Sequence, residues 1–105
     1  MDAEAVAARL RLNRETLARF CEKWKISELA LFGSVLRDDF GPGSDVDILV
    51  TFTPDATWTL WDFSSVQSEL AGIVGRTVDL VEKKAIRNPF IRREVIRTQV
   101  VIYAA

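Results

Sequence analysis

The sequence predicts a mixed α/β domain built on one helix-covered sheet, and three observations carry that expectation. Short runs rich in apolar and β-branched residues at 28–32, 46–53 and 77–81 have the composition of strands. Segments with helical apolar spacing and recognisable end signals separate them, an alternation that lays helices against a sheet. With 105 residues, the chain has room for one core and not two, so 1–105 is expected to form a single domain.

In chain order, residues 3–10 (AEAVAARL) are strong helix formers. Asn13 is placed to cap a second helical segment, or to mark a kink in a longer one. The apolar stripe there is Leu17, Phe20, Cys21 and Trp24. On that stripe Cys21 reads as a small buried hydrophobe rather than a reactive thiol. The first strand, 28–32, runs straight into Gly33-Ser34. Val35-Leu36-Arg37 then reads as the first turn of a short helix, broken by Gly41-Pro42-Gly43. The second strand, 46–53, is closed by Pro54. Thr59, with Asp62 three residues on, has the pattern of a capping box for a third helix. Phe63, Val66, Leu70 and Ile73 space out the inner face of that helix, and Gly75 ends it. The third strand, TVDLV at 77–81, sets Val78 and Leu80 on one face and Asp79 on the other. Pro89 suits the first position of a last helix carrying Phe90, Ile91 and Val95 inward, and 100–103 forms a short closing strand.

Composition narrows the chemistry. Formal net charge is -1, which argues against nucleic acid as the partner. No long apolar run suggests a membrane span, and Asp2 and Glu4 stand where a secretory signal would be basic, so a cytoplasmic protein is expected. A lone cysteine fits a reducing compartment. The absence of histidine removes Ser-His and Cys-His nucleophile arrangements and most zinc sites. Catalysis would have to use carboxylates, hydroxyls, basic residues and oxygen-ligated metals. Trp58, Trp61 and Phe63 cannot all face inward at their spacing, so one tryptophan is expected on a partner surface. The basic stretch Lys83, Lys84, Arg87, Arg92, Arg93, Arg97 reads as a solvated helix face, or as a source of charge for phosphates or an acidic partner.

The stretch 29–50 concentrates the candidate chemistry. Gly33-Ser34 sits where a strand turns into a helix. Glycine there permits close backbone approach, free N–H groups favour an anion such as a triphosphate, and the Ser34 hydroxyl and Arg37 add donors on the same side. Asp45 and Asp47 are two apart in an extended segment, so their carboxylates leave one face roughly 6–7 Å apart and can converge on Mg²⁺. Asp79 joins them if its strand lies beside 46–53.

Gly33-Ser34, Arg37 and the run Ser44-Asp45-Val46-Asp47-Ile48-Leu49 together resemble the signature of the DNA polymerase β-like nucleotidyltransferases. The closer likeness is to the minimal nucleotidyltransferases, small proteins found as antitoxins to HEPN-domain toxins. The resemblance implies a small mixed sheet with helices packed on one face and Mg²⁺-dependent transfer of AMP from ATP to an acceptor hydroxyl, a tyrosine of the toxin. It implies that Gly33 and Ser34, with Arg37 and Ser44, bind the nucleotide. Asp45 and Asp47 would ligate metal, and Asp79 would be the third carboxylate, which activates the acceptor. Asp38 follows Arg37 where relatives usually carry glycine, which puts an extra acid near the phosphates. That departure keeps open a second expectation, a non-catalytic antitoxin that neutralises its partner by binding alone. Either way a hetero-oligomer with the toxin is expected, with a homodimer as the alternative for the free chain.

Overall fold

The computed structural model describes residues 1–105. In order they form α1 (Ala3–Arg9), α2 (Arg14–Lys23), β1 (Ile26–Phe32), a 3₁₀ turn (Gly33–Leu36), β2 (Val46–Phe52), α3 (Leu60–Val74), β3 (Val78–Glu82), a second 3₁₀ turn (Lys83–Ala85), α4 (Pro89–Thr98) and β4 (Val100–Ala104). The helix ends lie where the sequence marks them. Asn13 accepts from the Thr16 N–H, Thr59 and Asp62 close a reciprocal capping box, and Gly75 ends α3 in the left-handed region at φ 74°. Asn88 accepts from the N–H groups of Phe90 and Ile91, with Pro89 at the first position of α4.

The sheet has the order β3-β2-β1-β4. β1 pairs antiparallel with both β2 and β4, while β2 and β3, joined through α3, are parallel. Period-two alternation gives this sheet two unlike faces. Leu29 and Leu31 of β1, Val46, Ile48 and Val50 of β2, and Val78 and Leu80 of β3 enter the main core with Val6 of α1, Phe20 and Cys21 of α2, and Val66 and Leu70 of α3. Three helices therefore cover one face. Cys21 is fully buried, and burial pushes its thiol up to about 12, so it is a packing residue. Glu69 of α3 accepts from the Trp24 indole N–H at 2.6 Å and from Lys23 at 3.0 Å, fastening α2 to α3. The Trp58 indole donates to the Trp24 carbonyl at 2.8 Å. On the edge strand β3, the Leu80 N–H is satisfied by the Gln67 side chain of α3.

Two expectations are corrected. The turn after β1 is a 3₁₀ turn that stops at Leu36, and Arg37 is already extended (ψ 162°), so Arg37 does not share a helix side with Ser34. Four residues before a glycine- and proline-rich loop are too few to propagate an α-helix. α4 forms as expected but does not carry Phe90 and Ile91 inward: they are 78% and 55% exposed, and no residue of α4 is buried. The core face of the sheet is already filled by α1–α3, so α4 lies outside the main apolar cluster. Among the aromatic residues after β2, Trp58 is half-buried edge-on to Trp24 at 5.3 Å, Phe63 packs against Phe52, and Trp61 is exposed.

Candidate active site

The site-bearing residues gather at one end of the sheet, on the face opposite the main core. In the antiparallel register Phe32 stands beside Asp47, and in the parallel register Asp47 stands beside Asp79. Paired residues on neighbouring strands lie roughly 4.8 Å apart and point to the same face, so β2 and β3 bring Asp47 and Asp79 side by side. Asp45, two residues before Asp47 and just ahead of β2, points the same way and is exposed, as is Asp79.

Gly33 is the other half of the arrangement. It follows Phe32, the cross-strand partner of Asp47, and adopts φ 74°, a conformation that favours glycine. A Cβ there would stand 3.3 Å from the Asp47 Cγ and overlap its Oδ2. The backbone and the carboxylate are therefore in direct contact, with no room for a side chain. Ser34 donates to the Asp45 carbonyl at 3.4 Å, linking the turn after β1 to the start of β2. Arg37 is exposed and pairs at 3.4 Å with Asp39. Ser44 sits within its own loop, where its hydroxyl accepts from the Gly41 N–H at 3.1 Å. Asp38 is exposed.

Electrostatics tie these groups together. Burial holds the Asp47 carboxyl above its ordinary value. The neighbouring Asp79 and Asp45 push the same way, and the Arg37 charge pulls against them. Like charges crowded at one strand end disfavour ionisation, and a bound cation would relieve that repulsion. The three carboxylates do not by themselves enclose a metal ion. They fit a cation that takes one or two carboxylates and completes its shell with substrate phosphates and water, as Mg²⁺ does.

A cavity of about 490 Å³ opens beside this cluster, lined by Gly33 and Arg37 and walled by Glu94, Val95 and Thr98 of α4. A larger one, about 600 Å³, lies at the opposite end of β2 against Phe52, Trp58 and Phe63, a full strand length from the carboxylates. Only the first touches the Gly33 turn. Two residues that the sequence did not single out also reach this region: Arg9 donates to the carbonyls of Val35 and Arg37, and Arg76 to those of Gly41 and Ser44. Their partners are backbone carbonyls distant in sequence, so no local pattern reveals them.

Comparison with known proteins identifies the family and the fold. Residues 14–101 match the nucleotidyltransferase domain family. A Methanocaldococcus jannaschii protein named as a protein adenylyltransferase is 41% identical over 76 residues, 70% of this chain and 74% of that one. The protein adenylyltransferase MntA of Thermococcus cleftensis is 33% identical over 78 residues, 71% of this chain and 77% of that one. A solved structure described as a minimal nucleotidyltransferase superposes with a TM-score of 0.68 at 32% identity, covering 95% of each chain. The fold is also shared, at a TM-score of 0.62 and 20% identity over 91% of this chain and 73% of that one, with a structure described as a tri-AMPylated Shewanella oneidensis HEPN toxin in complex with its MNT antitoxin.

Proposed function

The chain belongs to the nucleotidyltransferase domain family, and within it to the minimal nucleotidyltransferases; from that premise we propose that it is an antitoxin which transfers AMP from ATP to a tyrosine hydroxyl of a HEPN-domain toxin. The observation that carries the proposal is the side-by-side placement of Asp47 and Asp79 in the β2–β3 register, with the Gly33 backbone against the Asp47 carboxylate. The relatives named for protein adenylylation and the AMP-modified toxin bound to a protein of this fold supply the acceptor class.

In this reading Gly33 and Ser34 hold the triphosphate, Arg37 balances phosphate charge at the mouth of the adjoining cavity, and Ser44 shapes the loop that leads to Asp45. Asp45 and Asp47, with Asp79, would hold Mg²⁺, which when bound neutralises the triphosphate and the departing pyrophosphate. Asp79 is exposed, so a macromolecular acceptor can reach it. It takes the proton of the acceptor hydroxyl. The oxygen then bonds to the α-phosphorus as the bond from that phosphorus to the bridging oxygen breaks, and pyrophosphate leaves. Positioning and charge neutralisation supply most of the acceleration in such transfers, with little covalent work for the protein.

The test is the intact mass of the HEPN-domain partner after incubation with this chain, ATP and Mg²⁺, beside an Asp45→Ala/Asp47→Ala control. Expected is a gain of one or more AMP units with the unmutated chain alone, on a tyrosine by peptide mapping. A stable complex with no mass gain would instead establish the antitoxin that works by binding alone, the reading that Asp38 next to the phosphate turn favours.

A further inference from the structure

We propose that Arg9 and Arg76 are positioning residues that staple the two ends of the Gly33–Asp45 loop, Arg9 setting the phosphate turn and Arg76 setting the approach to the carboxylate strand. The inference rests on the nucleotidyltransferase reading above. Every residue proposed to touch nucleotide or metal, apart from Asp47 and Asp79, lies in this loop, whose own hydrogen bonds, such as Ser34 to the Asp45 carbonyl and the Ser44 N–H to the Gly41 carbonyl, tie it only to itself. Its 3₁₀ turn is four residues long. Gly41 and Gly43 have nothing within 4 Å of where a Cβ would stand, so that stretch of the loop lies open.

The two guanidinium groups tie this loop to α1 and to the end of α3. Arg9, on α1 and outside the segment that matches the family, donates to the Val35 carbonyl at 2.9 Å and the Arg37 carbonyl at 2.8 Å. These carbonyls flank the end of the turn whose first residues are Gly33 and Ser34. Arg76 follows the left-handed Gly75 that ends α3. It donates to the Gly41 carbonyl at 2.8 Å and to that of Ser44 at 3.3 Å, and its guanidinium carbon lies 4.3 Å from the centre of the Phe40 ring. The Ser44 carbonyl belongs to the peptide that joins Ser44 to Asp45, so Arg76 orients the plane from which Asp45 departs. Phe40 in turn packs on the core. Hydrogen bonds from a charged donor are stronger than neutral ones, and a planar guanidinium holds its acceptors in fixed directions.

Two readouts test the staple together. The first is amide hydrogen exchange of residues 33–45 in the free protein, which requires no activity. Arg9→Ala and Arg76→Ala should each speed exchange in their half of the loop by about tenfold, with β2 core amides such as Ile48 and Leu49 unchanged. The second is transfer kinetics. Arg9→Ala should raise KM for ATP about tenfold with kcat little changed, and Arg76→Ala should lower kcat about tenfold with KM little changed, while the lysine variants, which keep the charge but not the planar fork, recover only part of each loss. Unchanged loop exchange in both alanine variants overturns the proposal. So does loop exchange that rises only in step with the core amides, because the arginines would then serve global stability. Faster loop exchange in variants of a chain that, unmutated, transfers no AMP would leave the staple standing and remove the proposed function instead.

Discussion

Asp47 is the residue on which the site turns, because the fold works against its charge. Burial, Asp79 and Asp45 all raise its carboxyl above the ordinary 3.8. In acid it is protonated both folded and unfolded, so its charge has no effect on stability there. As pH rises above 3.8 the unfolded chain ionises first, and the folded state loses stability until Asp47 has ionised too. Asp47→Asn should therefore raise the melting temperature of the metal-free protein at pH 7 and lose that advantage below about pH 3.8, while abolishing transfer. Thermal melts of both proteins across pH 3–8 check this; an advantage that persisted at the acid end would remove the repulsion from the explanation. The Asp45-Val46-Asp47 spacing was legible in the sequence because an extended chain puts alternate residues on one face. Contact between Gly33 and Asp47 was not, since it depends on the register of β1 against β2, which no local pattern fixes.

At the scale of elements, the caps carried the most information. Asn13, Thr59 with Asp62, Gly75 and Pro89 each mark a helix end by a local hydrogen-bonding or backbone requirement, and local requirements are visible in one dimension. What α4 packs against is not local. Its apolar residues have helical spacing, yet whether Phe90 faces a core depends on what other helices have already covered. The structure sets a sharp expectation here. Phe90→Gln and Ile91→Gln should each change unfolding free energy by about 0.5 kcal/mol or less, as for surface positions, whereas an inward Phe90 would lose about 3–5 kcal/mol on truncation. Urea denaturation with an unchanged slope decides between the two.

At the scale of the whole molecule, the sheet sets most of the apolar core on the face away from Asp47 and Asp79, while Ala30 and Leu49 are also buried on the aspartates' own face. Its covered face holds the apolar cluster shared with α1, α2 and α3, and its other face carries Asp47 and Asp79 at the strand starts. The parallel pairing that unites the two aspartates follows from the β2–α3–β3 crossover, and α3 is held in place by its buried residues. Leu70, fully buried on the inner face of α3, tests how independent the two faces are. Leu70→Ala should lower stability by about 2–5 kcal/mol through lost burial and the cavity left behind. A domain of this size has about 5–15 kcal/mol in total, so the kinetics are taken on the folded fraction that remains. Because the cavity opens on the covered face and leaves the β2–β3 register intact, KM for ATP and kcat per folded molecule should stay unchanged well below the melting temperature. Kinetics normalised to the folded fraction, measured beside a urea titration, check both halves. A loss of kcat out of proportion to the unfolded fraction would mean that α3 packing sets the Asp47–Asp79 pairing directly, and the two faces would then be one mechanical unit.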